Sequence, residues 1–143
     1  MSELIEVLTK DGSYSLRSMF FNENFHSLLG ALEETKVKFT APSNLERFKE
    51  KSINVLDICF GLGYNSASLL NELIKQKSLL NWYALEIDKK PLKYALKNKS
   101  FQKLWNPQVK KIFKSLNEYD YFEDQLFKCQ IFWGDAREKI NMI

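Results

Sequence analysis

The segment Val55-Leu56-Asp57-Ile58-Cys59-Phe60-Gly61-Leu62-Gly63-Tyr64-Asn65 constrains the fold more than any other part of the chain, because it joins an apolar strand to a helix through a glycine turn. Residues Ile53 to Phe60 are apolar except at Asn54 and Asp57, the pattern of a central parallel strand. Leu69, Leu70, Leu73 and Ile74 then recur at helical spacing. Gly61 and Gly63, lacking Cβ atoms, permit a tight turn and close approach of a ligand to the backbone, and the helix that follows presents unpaired N–H groups to it. Such a layout suits a pocket for a nucleotide-type cofactor.

The rest of the chain repeats this alternation. Residues 4 to 8 and 14 to 20 read as extended segments joined by Thr9-Lys10-Asp11-Gly12-Ser13, a hairpin signal. A loop at Asn22 to Ser27 leads into a short helix over Leu28 to Phe39, which Thr40-Ala41-Pro42-Ser43-Asn44 is expected to break. Leu45 to Lys51 reads as a further short helix or turn. The helix after the glycine turn runs to about Lys77, and Leu80 to Ile87 forms a second strand. Asp88 caps a helix with Pro91 in its first turn, whose Leu92, Ala95 and Leu96 face the core while Lys90, Lys93 and Lys97 form an exposed stripe. Leu104 to Leu116 carries another helix limited by Pro107, and Cys129 to Trp133 is a third strand ending in Gly134-Asp135-Ala136-Arg137. Strand, helix, strand, helix, strand argues for a right-handed, doubly wound α/β unit.

The expected fold is therefore α/β: three parallel strands of a Rossmann-like sheet with their helices, preceded by an N-terminal β-hairpin and short helices. Residues 1–52 form the N-terminal part and residues 53–143 an incomplete cofactor-binding unit, together one domain, as the length of 143 residues also suggests. The acidic start, Met1-Ser2-Glu3-Leu4-Ile5-Glu6, lacks the basic and apolar regions of a signal peptide, and no apolar run approaches membrane-spanning length, so a cytoplasmic protein without a membrane partner is expected. Cys59 and Cys129 read as reduced, buried thiols, and a single histidine offers no zinc set, so no metal is expected. Nine lysines and no acidic residue occur from Lys89 to Lys114, a block that suits either phosphate contact or an ordinary solvated face.

Three acidic residues fall at or near the strands' carboxyl ends, where open α/β sheets bind ligands: Asp57, Glu86 and Asp135. Glu86 lies 23 positions after Gly63, close to the spacing at which a carboxylate accepts hydrogen bonds from ribose hydroxyls. The third glycine of a dinucleotide fingerprint is missing, since Tyr64, Asn65 and Ser66 follow Gly63. An NAD-dependent oxidoreductase stays open as an alternative.

With these residues in place the chain resembles the class I S-adenosylmethionine-dependent methyltransferases. Within them it is most similar to the tRNA 5-methylaminomethyl-2-thiouridine methyltransferases. Thr9 to Ser13, Phe25-His26-Ser27, Gly30-Ala31-Leu32-Glu33-Glu34, Phe60 to Asn65 and Gly134 to Arg137 look like successive signatures of the N-terminal part of that family, over nearly the whole chain. The resemblance implies S-adenosyl-L-methionine as cofactor, with Asp57, Gly61, Gly63 and Asn65 holding its methionine part, Glu86 its ribose and Asp135 its adenine. It implies tRNA as partner, through Lys89 to Lys114. Cys59 departs from the pattern, standing where these loops commonly carry another glycine.

The resemblance also implies a further strand with an Asp-centred motif near the methyl acceptor, expected beyond Ile143, so the presumed catalytic base is expected to be absent. His26, the single imidazole, is the candidate acid or base within the chain, with a hydrogen-bonded loop role as its alternative. Without the further strand, Val55 to Phe60 is expected to have an exposed edge, covered by the N-terminal segment, by a second copy or by a separately encoded C-terminal half. Two function classes stay open: a methyltransferase, and a noncatalytic cofactor- or RNA-binding remnant or subunit.

Overall fold

The computed structural model describes residues 3–143 and contains two sheets. The first is antiparallel: β1 (Leu4–Leu8) pairs with β2 (Tyr14–Ser18), and β2 with the short β3 (Glu23–Asn24). The hairpin turn is the one expected at Thr9 to Ser13, with Gly12 at φ 76°. The second sheet has the order β4 (Ser52–Ile58), β5 (Leu79–Glu86), β7 (Phe127–Trp133), β6 (Tyr121–Glu123). Its first three strands are parallel, and β6 folds back antiparallel on β7. These are the three parallel strands of the expected Rossmann-like unit. The antiparallel β6 was not expected, because Tyr121-Phe122-Glu123 is too short to show a period.

Helices α3 (Tyr64–Gln76), α4 (Lys90–Lys97) and α5 (Pro107–Tyr119) connect the parallel strands. Asp88 accepts the Lys90 N–H at 2.9 Å, and Asn106 accepts the Val109 N–H at 2.8 Å with Pro107 in the first turn, so both starts are fixed by short polar side chains. The helix expected to stop before Thr40 does not stop there. α1 (Ala31–Glu34) passes through a π-helical stretch, Thr35–Thr40, into α2 (Ala41–Ser43), and the chain turns only at Asn44, in the left-handed conformation. Pro42 lies in the first turn of α2, where its missing N–H costs little.

The core occupies one face of the main sheet. The cross-strand rows Ile53–Leu80–Phe127, Val55–Trp82–Cys129 and Asp57–Ala84–Ile131 look toward α3, α4 and α5, and their apolar members pack with Leu70, Leu92, Ile112 and Leu116. On the other face the rows are Asn54–Asn81–Lys128, Leu56–Tyr83–Gln130 and Ile58–Leu85–Phe132. Leu56 is 45% exposed and Ile58 54%.

The reason lies in the strand order. β4, β5 and β7 follow one another in a single direction, so right-handed crossovers lay all three helices on the same face. A doubly wound sheet covers its second face only after the order reverses, and among the described residues it does not reverse. The expectation of a doubly wound unit is corrected accordingly: the described chain is one winding. β4 is the sheet's edge, and the N-terminal sheet is separate from it. The N-terminal sheet packs instead through Leu16 on Ala95 and Phe101, beside Leu62 and Tyr64 of the glycine turn.

Candidate functional site

The chain leaves β4 at Cys59, which adopts φ 66°, and passes through Gly61 at φ 58° and Gly63 at φ 78° into α3. The two glycines do different work. Gly61 lines a cleft of about 690 Å³ at the carboxyl end of β4. Gly63 does not; a Cβ there would lie 2.7 Å from the Phe113 ring and 2.9 Å from Phe60. Its lack of a side chain leaves room for the Phe113 and Phe60 rings. No side chain caps the first turn of α3, so its N–H groups remain available at the rim of the turn.

The cleft brings together Asp57, Gly61 and Asn65 with His26, Glu34 and Lys38 from the N-terminal segment. Asp57 accepts a very short hydrogen bond from Ser66 Oγ, which in turn accepts the Trp82 indole N–H at 3.1 Å. Burial pushes the Asp57 carboxyl up to about 6; the Ser66 hydroxyl works against this and the nearby Glu86 charge adds to it. Asn65 accepts the Thr35 hydroxyl at 3.0 Å, tying α3 to the π-helical stretch.

Glu86 lies beneath the turn rather than in the cleft, 7% exposed, its Oε2 accepting the Gly61 N–H at 2.6 Å and its Oε1 the Asp88 N–H at 3.1 Å. Burial raises its carboxyl above the usual range, although the backbone N–H groups of Gly61 and Asp88 oppose the shift. Gly134 donates to the Glu86 carbonyl at 2.8 Å, which brings the ends of β5 and β7 together. Asp135 also lies outside the cleft. It caps α6 (Ala136–Lys139) by accepting the Arg137 N–H at 2.9 Å and pairs with the Arg137 guanidinium, which holds its carboxyl down to about 2.

His26 is on the cleft wall but is engaged. Its Nδ1 lies 2.9 Å from Ser15 Oγ, and its ring meets Tyr64 edge-on with 4.9 Å between centroids. Burial pushes the imidazole down to about 4, against the pull of Glu34, so it is neutral at pH 7 and a weak base. Glu34 and Lys38 were not singled out as a pair by the sequence, although their spacing of one helical turn is the available signal. Lys38 Nζ contacts Glu34 Oε1 at 2.6 Å, and Glu34 Oε2 accepts the Ser27 N–H at 2.7 Å; burial works against the Glu34 charge, but these partners outweigh it and hold the carboxyl below its usual range.

The two cysteines differ. Cys129 is buried as expected, whereas Cys59 is exposed, because the left-handed turn it occupies carries its side chain out of the core. Among the described residues no helix is long and apolar enough to cross a membrane.

Superposition on solved structures places the whole chain on MnmC2 from Aquifex aeolicus, with a TM-score of 0.77 and 29% sequence identity, covering 46% of that protein's chain. The chain has the fold of MnmC2. An uncharacterised protein of Methanocaldococcus jannaschii is 39% identical over 69 residues, 48% of this chain and 19% of its own length. No protein-family model matches. The chain thus spans under half of MnmC2 and a smaller share of the archaeal protein, both of which contain polypeptide with no counterpart here.

Against the MnmC2 fold, the signatures Thr9 to Ser13 and Gly30 to Glu34 acquire a structural meaning. Asp11 accepts hydrogen bonds from Thr9 Oγ1, Ser13 Oγ and Ser13 N, and its Oδ2 accepts the Glu33 N–H at 3.0 Å. Ser13 Oγ accepts the N–H groups of Ala31 and Leu32 at 3.1 and 3.4 Å. The hairpin turn is therefore the N-terminal cap of α1, supplied from 18 or more residues away.

Proposed function

We propose that the chain binds S-adenosyl-L-methionine and belongs to the methyl-transfer machinery of tRNA modification. The observation that carries this reading is the match over the whole chain to MnmC2 at 29% identity, joined to the resemblance of the chain's signatures to the tRNA 5-methylaminomethyl-2-thiouridine methyltransferases. The residues at the cleft fit the cofactor's methionine part. Asp57 supplies a desolvated acceptor for its ammonium, and the uncapped first turn of α3, with Gly61 and Asn65, supplies donors for its carboxylate. Glu86 is proposed for the ribose diol: each oxygen accepts one internal hydrogen bond, from Gly61 and from Asp88, and keeps a lone pair. Asp135 is proposed for the adenine end.

When bound, the group supplies an electrophilic sulfonium methyl. Phe25, Leu62 and Phe39 at the cleft exclude water from it, and positioning of donor and acceptor supplies the catalysis. His26, neutral and held by Ser15, orients the wall of the cleft rather than removing a proton from the acceptor amine. A second reading, cofactor or RNA binding without turnover, is favoured by the absence, among the described cleft residues, of a base poised near pH 7 with no structural partner.

Lysines between residues 89 and 114 are proposed to contact tRNA phosphates. Lys93, Lys97, Lys99, Lys111 and Lys114 are exposed, as is Lys103, which bonds the Gly12 carbonyl at 2.6 Å, while Lys89 bonds Asp120 at 2.8 Å. The exposed subset therefore carries the electrostatic contact, expected as binding that weakens with salt and with Lys93→Glu plus Lys97→Glu.

Titration calorimetry tests the cofactor. Saturable binding of S-adenosylmethionine is expected, weakened by Glu86→Ala on the order of tenfold, a loss of about 1.4 kcal/mol. Folded protein that binds no S-adenosylmethionine sinks the reading, and uptake of NADH in its place supports an oxidoreductase.

A further inference from the structure

The turn between β2 and β3 holds two phenylalanines out in solvent. Phe20 is 75% exposed and Phe21 58%, and their rings meet edge to face with 4.9 Å between centroids. The backbone beneath them is braced. The Arg17 guanidinium donates to the Asn22 carbonyl at 3.0 Å and to Asn22 Oδ1 at 2.6 Å, Ser18 Oγ accepts the Phe21 N–H at 3.3 Å, and the Met19 N–H reaches the Glu3 carbonyl at 3.0 Å. Asn22 closes the turn at φ 55°, a left-handed conformation that asparagine tolerates better than most residues. None of these bonds needs an aromatic side chain at position 20 or 21. An apolar pair that the fold leaves unburied, on a turn that the fold stiffens, is a preformed contact surface.

We propose that Phe20 and Phe21 form a stacking platform for an unpaired base of an RNA, the neighbour of the nucleotide that enters the cleft, an assignment that rests on the RNA partnership proposed above. Three observations select this occupant. The first is position: β3 leads from the tip to Phe25 and His26 on the cleft wall, so Phe21 stands at most about 13 Å of extended chain from Phe25. A nucleotide drawn into a cleft leaves its neighbours unstacked at the entrance, and RNA-binding surfaces meet such bases with aromatic rings. The second is size. Two phenyl rings bury a few hundred Å² at most, enough for one or two bases and well under the roughly 1,200 Å² of a specific protein interface. The third is charge. Exposed Glu3 and Glu23 flank the tip, whereas the exposed Lys93 and Lys97 lie on α4, to which β1 is tied through Glu6 by the Tyr94 hydroxyl at 2.5 Å and Asn98 Nδ2 at 2.8 Å. Acidic neighbours repel phosphate and an anionic membrane surface, but a base is uncharged.

The tip therefore takes the base and the lysines take the phosphates. This division separates the two contributions in salt: phosphate contacts weaken as salt rises, and stacking on a phenyl ring does not. It also assigns the rings a job in selection. Every base has a π-face, so the platform accepts any of them, but its fixed distance from the cleft wall chooses a nucleotide by its place beside the one bound inside.

Fluorescence anisotropy of a labelled RNA hairpin with an unpaired loop, titrated with the chain over a range of salt concentrations, tests the platform. Phe20→Leu plus Phe21→Leu keeps the apolar bulk and removes the rings; it is expected to weaken binding about tenfold at every salt concentration, with the salt slope and the melting temperature unchanged. Phe20→Trp plus Phe21→Trp is expected to bind at least as tightly as the parent, and binding of a fully paired RNA duplex to respond to neither change. Four outcomes overturn the proposal: no RNA bound by the folded chain, equal affinities of the parent and the leucine variant, a loss that vanishes at high salt, or a dimer of the parent that the leucine variant takes apart. Calorimetry with S-adenosylmethionine on the same samples reads the cofactor separately. Cofactor binding beside an RNA affinity indifferent to the leucines removes the platform alone, and ring-dependent RNA binding by a chain that takes no cofactor leaves the platform standing and removes the cofactor reading.

Discussion

The N-terminal turn and the turn after β4 are built from the same parts, an acidic side chain, glycines and the start of a helix, and they spend them in opposite ways. At the N-terminus every acceptor is used inside the protein. Asp11 and Ser13 together take the N–H groups of Ala31, Leu32 and Glu33, and Gly30 exists so that Asp11 can lie against it. After β4 the helix start has no side-chain cap, and Asp57 is held half-buried at an unfavourable charge cost. Satisfied polar groups make a lock, and unsatisfied ones make a site. Both turns look alike as sequence signatures, and of the two only the second borders the cleft.

The largest expected effect breaks this contrast at its most exacting point. Gly63→Ala puts a methyl 2.7 Å from Phe113 on a backbone at φ 78°, so overpacking and left-handed strain add. A loss of about 4 kcal/mol in a urea melt is expected from those two costs. A variant that melts normally but no longer binds S-adenosylmethionine would make Gly63 a ligand contact and return it to the role its spacing suggested. Gly30→Ala sharpens the other side. Its Cβ would come within 2.8 Å of Asp11 Cβ and evict the carboxylate from the cap, at about 3 kcal/mol. Cofactor affinity should stay within twofold, since the lock is not part of the site; a larger change would show that the two turns are coupled.

The strands and the glycine turn were legible because their signals are local. Ile53 to Phe60 reads as a strand from composition alone, and Asn106, Pro107 and Asp88 announce helix starts by chemistry that acts within four residues. What sequence could not show was partnership across the chain. Glu86 was found by its distance from Gly63, but nothing local says that its carboxylate is taken up by the Gly61 and Asp88 N–H groups, nor that Asp135 is paired with Arg137. The reading of Pro42 as a breaker failed because the π-helical stretch before it shifts the register and gives proline a first-turn position. The exposed edge of β4 was expected, but the exposure of Leu56 and Ile58 on the sheet face beside it required the strand order.

The buried charge of Asp57 offers the next test. Its folded pKa, about 6, lies above the unfolded value of 3.8, so the folded protein holds this proton more tightly. The group's stabilising contribution is therefore complete below about pH 4 and is lost as pH rises through about 6. Asp57→Asn keeps an acceptor for Ser66 and removes the charge. The variant should exceed the parent in stability by on the order of 2 kcal/mol above pH 6 and match it near pH 4. Glu86 is also raised and contributes to both melting curves, so the difference between the two proteins is the quantity to follow. A constant offset across the pH range would mean that Asp57 is ionised without cost, and that the cleft is wetter than its apolar lining indicates. Asp57→Asn should also weaken S-adenosylmethionine binding, so stability and function are expected to move in opposite directions at this residue and in no such way at Asp11.

The smallest effect concerns the residue at the hinge of the comparison. Cys59 sits at φ 66°, a conformation that costs a side-chain-bearing residue about 1 kcal/mol, and it is exposed, so packing does not repay it. Its N–H still donates to the Leu85 carbonyl, a bond that any residue keeps. Partial desolvation by the surrounding turn and the neighbouring carboxylates of Glu86 and Asp57 raise its thiol, so thiolate chemistry does not explain the residue either. Cys59→Gly should therefore stabilise the chain by about 1 kcal/mol, less the greater entropy of an unfolded glycine, with the strand pairing of β4 and β5 unchanged. If the gain appears with unaltered cofactor affinity, the strain at Cys59 belongs to the turn alone. If the glycine variant is more stable but binds the cofactor less tightly, the left-handed cysteine is shaping the mouth of the cleft, and the strain is part of the site.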